Sequence, residues 1–565
     1  MRIILPLLIC CGICSLLSAR AEAAAKPILD YLSNSAYGTL APIEPQGYFT
    51  LGRRYVHPPR VEWAAVKDAA RYEILLVQGD QVLGITSATS SPQFADVGWD
   101  KARPGKAAVI IQAFDASGKR IALSRFFPLY VAPDFDPRRS SKAKRTYKEA
   151  TALTFGALCD WRFPANVAVP KDGPAASIQQ IVLTAVVTPN SCAPLAWPSL
   201  HDWLYVDMLV SMSKNADTAL KAKILSFARS VGDHYLMSQV TDEGFVYRYM
   251  LRGCIDFKGE ATLGMHVADP VKKEKMMRLV EPGKCGYSGA ALVKIYELTG
   301  DSKYLDAAVN MAETLVRTQR EDGSWAARVD AKSGEVIGDY STSAISVASF
   351  LDSLNKHRPD TRWTKASKRA VSWIMQNPVK TYGWVVNYDD GGAPATKANP
   401  FLGNLSNWDL FEFVRYAAAH PDAVPNAAAC VDEQLAWADN HFVFYGSDPL
   451  LPIEPFYPCC AEQGNPASFV AAGGCWVPMD FHTANWASAL ISAYRLTGKQ
   501  IYLDKAKAAA NTLTQYQLDN GRTMTWMCDR TFGVSAHAAG NSATSFWPAA
   551  WAMSACVWSE LDNMK

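Results

Sequence analysis

"YSGAALVKIYELTGDSKYLDAA" (287–308) and "NWASALISAYRLTGKQIYLDKA" (485–506) share the frame A-L-x-x-x-Y-x-L-T-G-x-x-x-Y-L-D-x-A. In each, an apolar run ends at a glycine, the residue that most easily ends a helix, and an amphipathic run follows. One helix–turn–helix is therefore built twice, nearly two hundred residues apart. That is the mark of a repeat architecture. Working outward, four more runs resemble the first halves. They are "WPSLHDWLYVDMLVSMSK" from 197, "DYSTSAISVASFLDSLNK" from 339, "NLSNWDLFEFVRYAAAHP" from 404 and "NSATSFWPAAWAMSACVWSE" from 541. With "CGYSGAALVKIYELTG" from 285 and "DFHTANWASALISAYRLTG" from 480, they make six helices that are nearly apolar all round, as helices buried on every side should be. Six charged, amphipathic partners begin near 146, 216, 301, 361, 425 and 499. The expected fold is mostly α, an (α/α)6 toroid of six helical hairpins over 146–562.

The partner helices end in a glutamine followed by a glycine and an aromatic: "QREDGSW" (319–325), "QVTDEGF" (239–245), and more loosely "QNPVKTYGW" (376–384) and "QLDNGRTMTW" (517–526). "QREDGSW" resembles the Q-x-x-x-G-x-W element of terpene-cyclase-like toroids, where it caps a helix and packs the aromatic beneath it. The chain lacks the D-x-D-D acid motif of those cyclases, so a structural role is expected.

Before the toroid the period changes to two. "RVEWAAV", "RYEILLVQ", "AAVIIQAFD" and "RIALSRFFPLYV" are short runs divided by turn residues, which predicts a small antiparallel β-sandwich over 45–133. Trp63 followed nine residues later by Tyr72 resembles the central strands of fibronectin type III modules. "APDFDPRRSSKAKR" reads as a linker, assigned to 134–145. The first 23 residues, an apolar run and then small residues, read as a signal peptide, which predicts a secreted or periplasmic protein. No later run is long and apolar enough to predict a membrane span. Export would permit disulfides. Cys254 with Cys285, or Cys475 with Cys459 or Cys460, would each close a long loop, and the spacings leave the pairing open. Cys459, Cys460, Cys475 and His482 could alternatively gather around zinc, but their spacings match no standard zinc pattern, and no metal or cofactor is expected.

Lys and Arg number 56 against 54 Asp and Glu, a balance that argues against nucleic acid as partner. The links from partner helices to core helices are long, notably 240–284 and 444–479, and loops of that length usually carry function. They emerge where the core helices begin, so six helix N-termini are expected to ring one mouth, a favourable setting for an anionic ligand. The polar residues there include His201, Tyr287, Asp339, Tyr340, Asn404, Asn407, Asp409, His482 and Asn485, with Trp408 and Trp486. Asp339, Asp480, Asn404 and Asn541 stand where an ordinary N-cap would. Capping does not account for His482, Asn485 and Trp486, which at i, i+3 and i+4 share one helix face; Asn404, Asn407 and Trp408 repeat the arrangement. The long loops add Arg248, Arg252, His266, Tyr388, Asp389, Asp390, Glu462, His537 and Arg530, of which Arg530 sits just before the last core helix.

This inventory resembles the (α/α)6 superfamily of polysaccharide lyases and glycoside hydrolases, usually secreted or periplasmic, which implies a polysaccharide or oligosaccharide substrate. A lyase acting on an acidic, uronate-containing glycan must remove the C5 proton beside the carboxylate. Asn407 and Arg530 would hold that carboxylate, while Tyr340 and His482, with His201 in reserve, would move protons. Trp408, Trp486, Asn485, Asn404 and Tyr287 would bind sugar. A glycoside hydrolase would instead use paired carboxylates from Asp339, Asp409, Asp480 and Glu462. A non-catalytic glycan-binding protein is the third reading. The recurrence of His, Asn and Tyr at the mouth favours the lyase.

Overall fold

A computed structural model describes residues 41–43, 45–47, 54–91, 93–124, 126–160, 202–251, 278–337, 341–342, 344–382, 384, 406–447, 456–463, 476–525, 527 and 548–564. The segment read from sequence as a signal peptide, residues 1–23, lies outside these. The chain divides into two compact units, Met1–Asp134 with Asp439–His441, and Phe135–Ala438 with Phe442–Lys565.

The first unit is built of strands β1 (Ala41–Ile43), β2 (Pro45–Gly47), β3 (Arg54–Tyr55), β4 (Arg60–Trp63), β5 (Arg71–Gln78), β6 (Gln81–Ala88), β7 (Gln93–Phe94), β8 (Gly105–Phe114), β9 (Arg120–Ser124) and β10 (Phe127–Val131). One sheet runs β1-β9-β8-β10-β3, with β5 against β8 and β6 beyond it; the other is β2-β4-β7. Pairing is antiparallel except for β1 with β9 and β10 with β3. Alternation in "RYEILLVQ" puts Tyr72, Ile74 and Leu76 on one face. There they share a core with Val109 and Ile111 of the same sheet and Val61 and Trp63 of the other. The Trp63 and Tyr72 rings lie 5.1 Å apart inside it.

The second unit contains, among the described residues, helices α1 (Tyr147–Asp160), α2 (Trp203–Ser213), α3 (Thr218–Ser238), α4 (Pro282–Thr299), α5 (Ser302–Thr318), α6 (Ile345–Asn355), α7 (Thr361–Ile374), α8 (Ser406–Ala419), α9 (Ala427–His441), α10 (Asp480–Thr497), α11 (Gln500–Tyr516) and α12 (Pro548–Asp562). The apolar set forms a closed circuit: α2 packs on α4, α4 on α6, α6 on α8, α8 on α10, α10 on α12, and α12 returns to α2. Among the amphipathic set, α3, α5, α7 and α11 pack outside α2, α4, α6 and α10, and α1 lies against α12. This is an (α/α)6 toroid. The stretch 135–146 is fastened along this unit, with the Ser141 amide donating to the Tyr457 carbonyl at 2.8 Å and the Lys144 amide to Thr514 Oγ1 at 2.9 Å.

The duplicated hairpin is alike in detail. Gly300 and Gly498 both take left-handed φ, +71° and +67°, and donate to Tyr296 and Tyr494 carbonyls at 2.8 Å. The shared tyrosine of the second helix reaches back to the preceding outer helix, Tyr304 to Asp233 and Tyr502 to Asp432.

The glutamines fasten the outer ring. Gln319 Nε2 donates to the Gly323 carbonyl of its own turn and to the Ala366 carbonyl of α7, both at 2.9 Å. Gln239 likewise bridges Tyr249 and Ala307 of α5. Gln517, at the last outer helix, donates to the Ala150 carbonyl of the first at 2.8 Å, closing the outer circuit. The turn glycines complete the device. Gly323 and Gly521 have φ of +96° and +85°, and a Cβ on them would meet the Arg369 and Leu153 carbonyl oxygens at 2.4 and 2.1 Å. Trp325 is fully buried and donates to the Leu315 carbonyl, as the resemblance implied. The fourth unit departs from this. Pro378 lies in a π-helical turn, Met375–Val379, and Gln434 of α9 donates backwards to the Val379 carbonyl.

Two core helices start later than their apolar runs suggest. Ser341–Thr342 forms a short strand with Trp325–Ala326 before α6 begins. Asp202 lies in a turn, and α2 begins at Trp203 rather than near 197.

A leucine at Gln517 leaves buried carbonyls without donors, so Gln517→Leu should lower stability by about 1–3 kcal/mol in urea titration. A Cβ at Gly286 would lie 2.5 Å from the Ser346 and Val347 backbone. Gly286→Ala should therefore cost about 1–3 kcal/mol by overpacking. Gly156→Ala, in α1 with nothing within 4 Å of the new methyl, should instead gain about 0.5–1 kcal/mol in the same assay.

Candidate functional site

Four core helices meet near their N-termini in one aromatic layer. Trp203, the first residue of α2, stacks on Tyr287 of α4 with ring centres 5.0 Å apart and planes 15° apart. It also meets Trp408 of α8 edge-on at 6.4 Å. Trp408 in turn packs against Phe481 of α10 at 4.2 Å. Because α2 and α8 stand opposite each other in the circuit, the two tryptophans meet across the ring axis and plug it.

Polar groups are set into this layer. Tyr287 donates its hydroxyl to Asp409 Oδ1 at 3.0 Å, both residues being buried. Burial, with the Asp409 carboxylate beside it, pushes the phenol well above its usual range, so Tyr287 keeps its proton. Asn485 Oδ1 accepts from Arg415 Nη1 at 2.6 Å, and Arg415 Nε is paired with Glu412 at 2.9 Å. Glu412 also accepts from Ser349 Oγ at 2.8 Å. His482, buried and edge-on to Phe481, is driven down to about 3 by loss of solvation and so stays neutral. Asp480 opens α10. Its carboxyl, pushed up to about 8 by burial, accepts from the Phe481 amide and from Thr523 Oγ1, both at 2.7 Å. Under the same end, the Asp202 carboxylate and His234 Nδ1 lie 2.5 Å apart with both side chains buried, and His234 Nε2 has no partner among the described residues.

Of the residues singled out from sequence, Tyr287 and Asp409 are brought into contact, and Trp408 belongs to the plug. Asn485 and His482 share the first turns of α10 with Trp486, which is fully buried against Tyr445. His201, Asp339, Tyr340, Asn404, Asn541 and Arg530 lie outside the described residues, as do Arg252, His266, Tyr388, Asp389, Asp390 and His537. Asn407 falls in α8 and Glu462 in a short strand, and the structure describes neither side chain. Arg248 lies over the Tyr249 ring and donates to the Thr241 carbonyl. Sequence reasoning missed Asp207, Lys294, Glu412 and Arg415. The signal was available: each is a charge in the middle of a run otherwise apolar all round, where charges survive only when paired.

Residues 282–406 match the ulvan lyase N-terminal domain. That segment spans α4 to the start of α8 and contains Tyr287. No curated protein sequence matches the chain significantly. Among solved structures, a family 76 glycoside hydrolase from a bovine Bacteroides thetaiotaomicron strain is 10% identical, with 93% of this chain and 100% of that one covered and a TM-score of 0.46. An unsaturated glucuronyl hydrolase specific for heparin is 14% identical, covering 74% and 97%, with a TM-score of 0.45. A polysaccharide lyase is 10% identical, covering 86% and 60%, with a TM-score of 0.40. The chain is thus similar to carbohydrate-active proteins. Among the described residues no group of three or more His, Cys, Asp and Glu converges as a metal site, and no helix is long and apolar enough to cross a membrane.

Asp480 and His482 give stability a defined pH dependence. Folded Asp480 holds its proton to about pH 8, whereas an unfolded aspartate loses it near 3.8, so raising the pH disfavours the fold. An unfolded histidine takes a proton near 6.5 that folded His482 refuses until about 3, so lowering the pH disfavours the fold. From about pH 4 to 6.5 the two differences cancel; above 6.5 only the aspartate's remains. Urea midpoints should be level across the first interval and fall towards pH 8. Asp480→Asn should remove that fall.

Proposed function

We propose that the chain is an exported enzyme that degrades a polysaccharide, cleaving a uronate-containing glycan by β-elimination. The observation that carries this reading is the commitment of the site's groups. The two described carboxylates that a hydrolase would need are engaged, Asp409 by Tyr287 and protonated Asp480 by Thr523 and the Phe481 amide. Beside them stand a neutral histidine, a protonated tyrosine and an amide fixed by an arginine, the group types an elimination needs. The match of 282–406 to an ulvan lyase domain supports the same choice. In this mechanism the substrate carboxylate is held at the mouth by Asn407 and Arg530, which lowers the barrier to forming the C5 carbanion. Neutral His482 accepts the C5 proton, and Tyr340, with His201 in reserve, supplies one to the departing glycosidic oxygen. Asn485 contributes to sugar binding, its carbonyl oriented by Arg415. Export follows from the leader expected in the first 23 residues.

The test is a panel of acidic and neutral glycans scored for the ultraviolet absorbance of an unsaturated uronyl end and for new reducing ends. Elimination gives both on a uronate polymer. Reducing ends without absorbance would indicate hydrolysis, and retention without product would indicate a binding protein. His482→Ala should lower turnover by roughly 10²–10⁴-fold with an unchanged far-ultraviolet spectrum. Near-normal activity in that variant would remove His482 from the mechanism.

A further inference from the structure

On the far side of the aromatic plug the ring is hollow. A cavity of about 190 Å³ has Trp203 and Tyr287 at its inner end and runs to Ser353, Ala419 and His420 in or just beyond the last turns of α6 and α8. It therefore opens at the end of the short turns, opposite the mouth where the core helices begin. Its wall carries two ion pairs, Lys294 with Asp207 at 2.5 Å and Arg415 with Glu412 at 2.9 Å. Hydroxyls of Ser346, Ser349 and Ser353 line it as well.

We infer that this well is a second sugar site, one that takes a neutral polyhydroxylated molecule of monosaccharide size. Charge and hydrogen-bonding capacity decide the ligand class. Each cation in the wall is matched by a carboxylate, so the well does not call for a net charge. Its groups are nevertheless not saturated. Lys294, 35% exposed in the wall, gives one of its three N–H donors to Asp207 at 2.5 Å and keeps the others for an acceptor in the well. Carboxylates such as Asp207 and Glu412 keep further lone pairs to accept O–H donors. A vicinal diol meets both needs at once, because one hydroxyl donates to a carboxylate while its neighbour accepts from the Lys294 ammonium. The volume equals about six waters at ~30 Å³ each, the room one sugar ring needs once they are displaced. The aromatic pair at the inner end offers the edge against which a ring's C–H groups pack.

The site stands apart from the proposed elimination, and its test reads binding rather than turnover. Calorimetric titration with D-glucose, D-galactose and D-xylose, and with D-glucuronate as the charged comparison, should show at least one neutral sugar bound. Ser353→Trp and, independently, Ala419→Trp at the exposed rim should abolish that binding by filling the outlet, while activity towards polymer stays unchanged. Two positions are used so that a folding failure in one leaves the other decisive. No neutral sugar bound would overturn the assignment and leave a well that holds only water. So would binding that survives both tryptophans, or glucuronate binding roughly tenfold tighter than any neutral sugar.

Discussion

The toroid depends on a side-chain amide placed at the end of an outer helix and spent on its neighbour. Gln239, Gln319 and Gln517 each tie their own turn to the next outer helix, and the last of them reaches the first. A hairpin of one apolar and one amphipathic helix cannot bury its apolar member alone, so each unit needs its neighbours on both sides. Core packing supplies most of the attraction, but it is non-directional. The directed bonds sit outside, where they fix how far each hairpin is rotated against the next, and the glycines at 323 and 521 allow the neighbouring carbonyls to come that close.

Once the circuit is fixed, the six core helices have no choice about what they enclose. Large rings at their leading ends meet in the middle, with Trp203 and Trp408 in contact across the axis. The charges farther along are enclosed with them and survive by pairing: Lys294 with Asp207, Arg415 with Glu412 and Asn485. Arg415 is the link between the two sides of the plug, holding Asn485 of α10 while its carbon stem and Glu412 face the well. The chemistry of the mouth and the shape of the hollow behind it are therefore consequences of one packing arrangement.

Much of this was legible in the residues. Helix identity followed from the contrast between all-round apolar runs and amphipathic ones, and the outer helices were read to within a few residues because their charged faces mark both ends. The core helices were harder at their starts. The run before α6 continues through Ser341–Thr342, which pairs with Trp325–Ala326, so hydropathy gives no boundary there. The glutamine motif was visible, but its partner was not, since the acceptor lies on a helix about fifty residues away. The contact of Tyr287 with Asp409 was hidden for the same reason, whereas the internal charges at 207, 294, 412 and 415 were passed over although their setting made them conspicuous.

Closure of the circuit also ties the fate of each seam to the next. Helix α12 touches α1, α2, α10 and α11. In a closed ring every core helix is a wall shared by two neighbours, so loosening α12 would open the seams with α2 and α10 together and expose the hollow from the side.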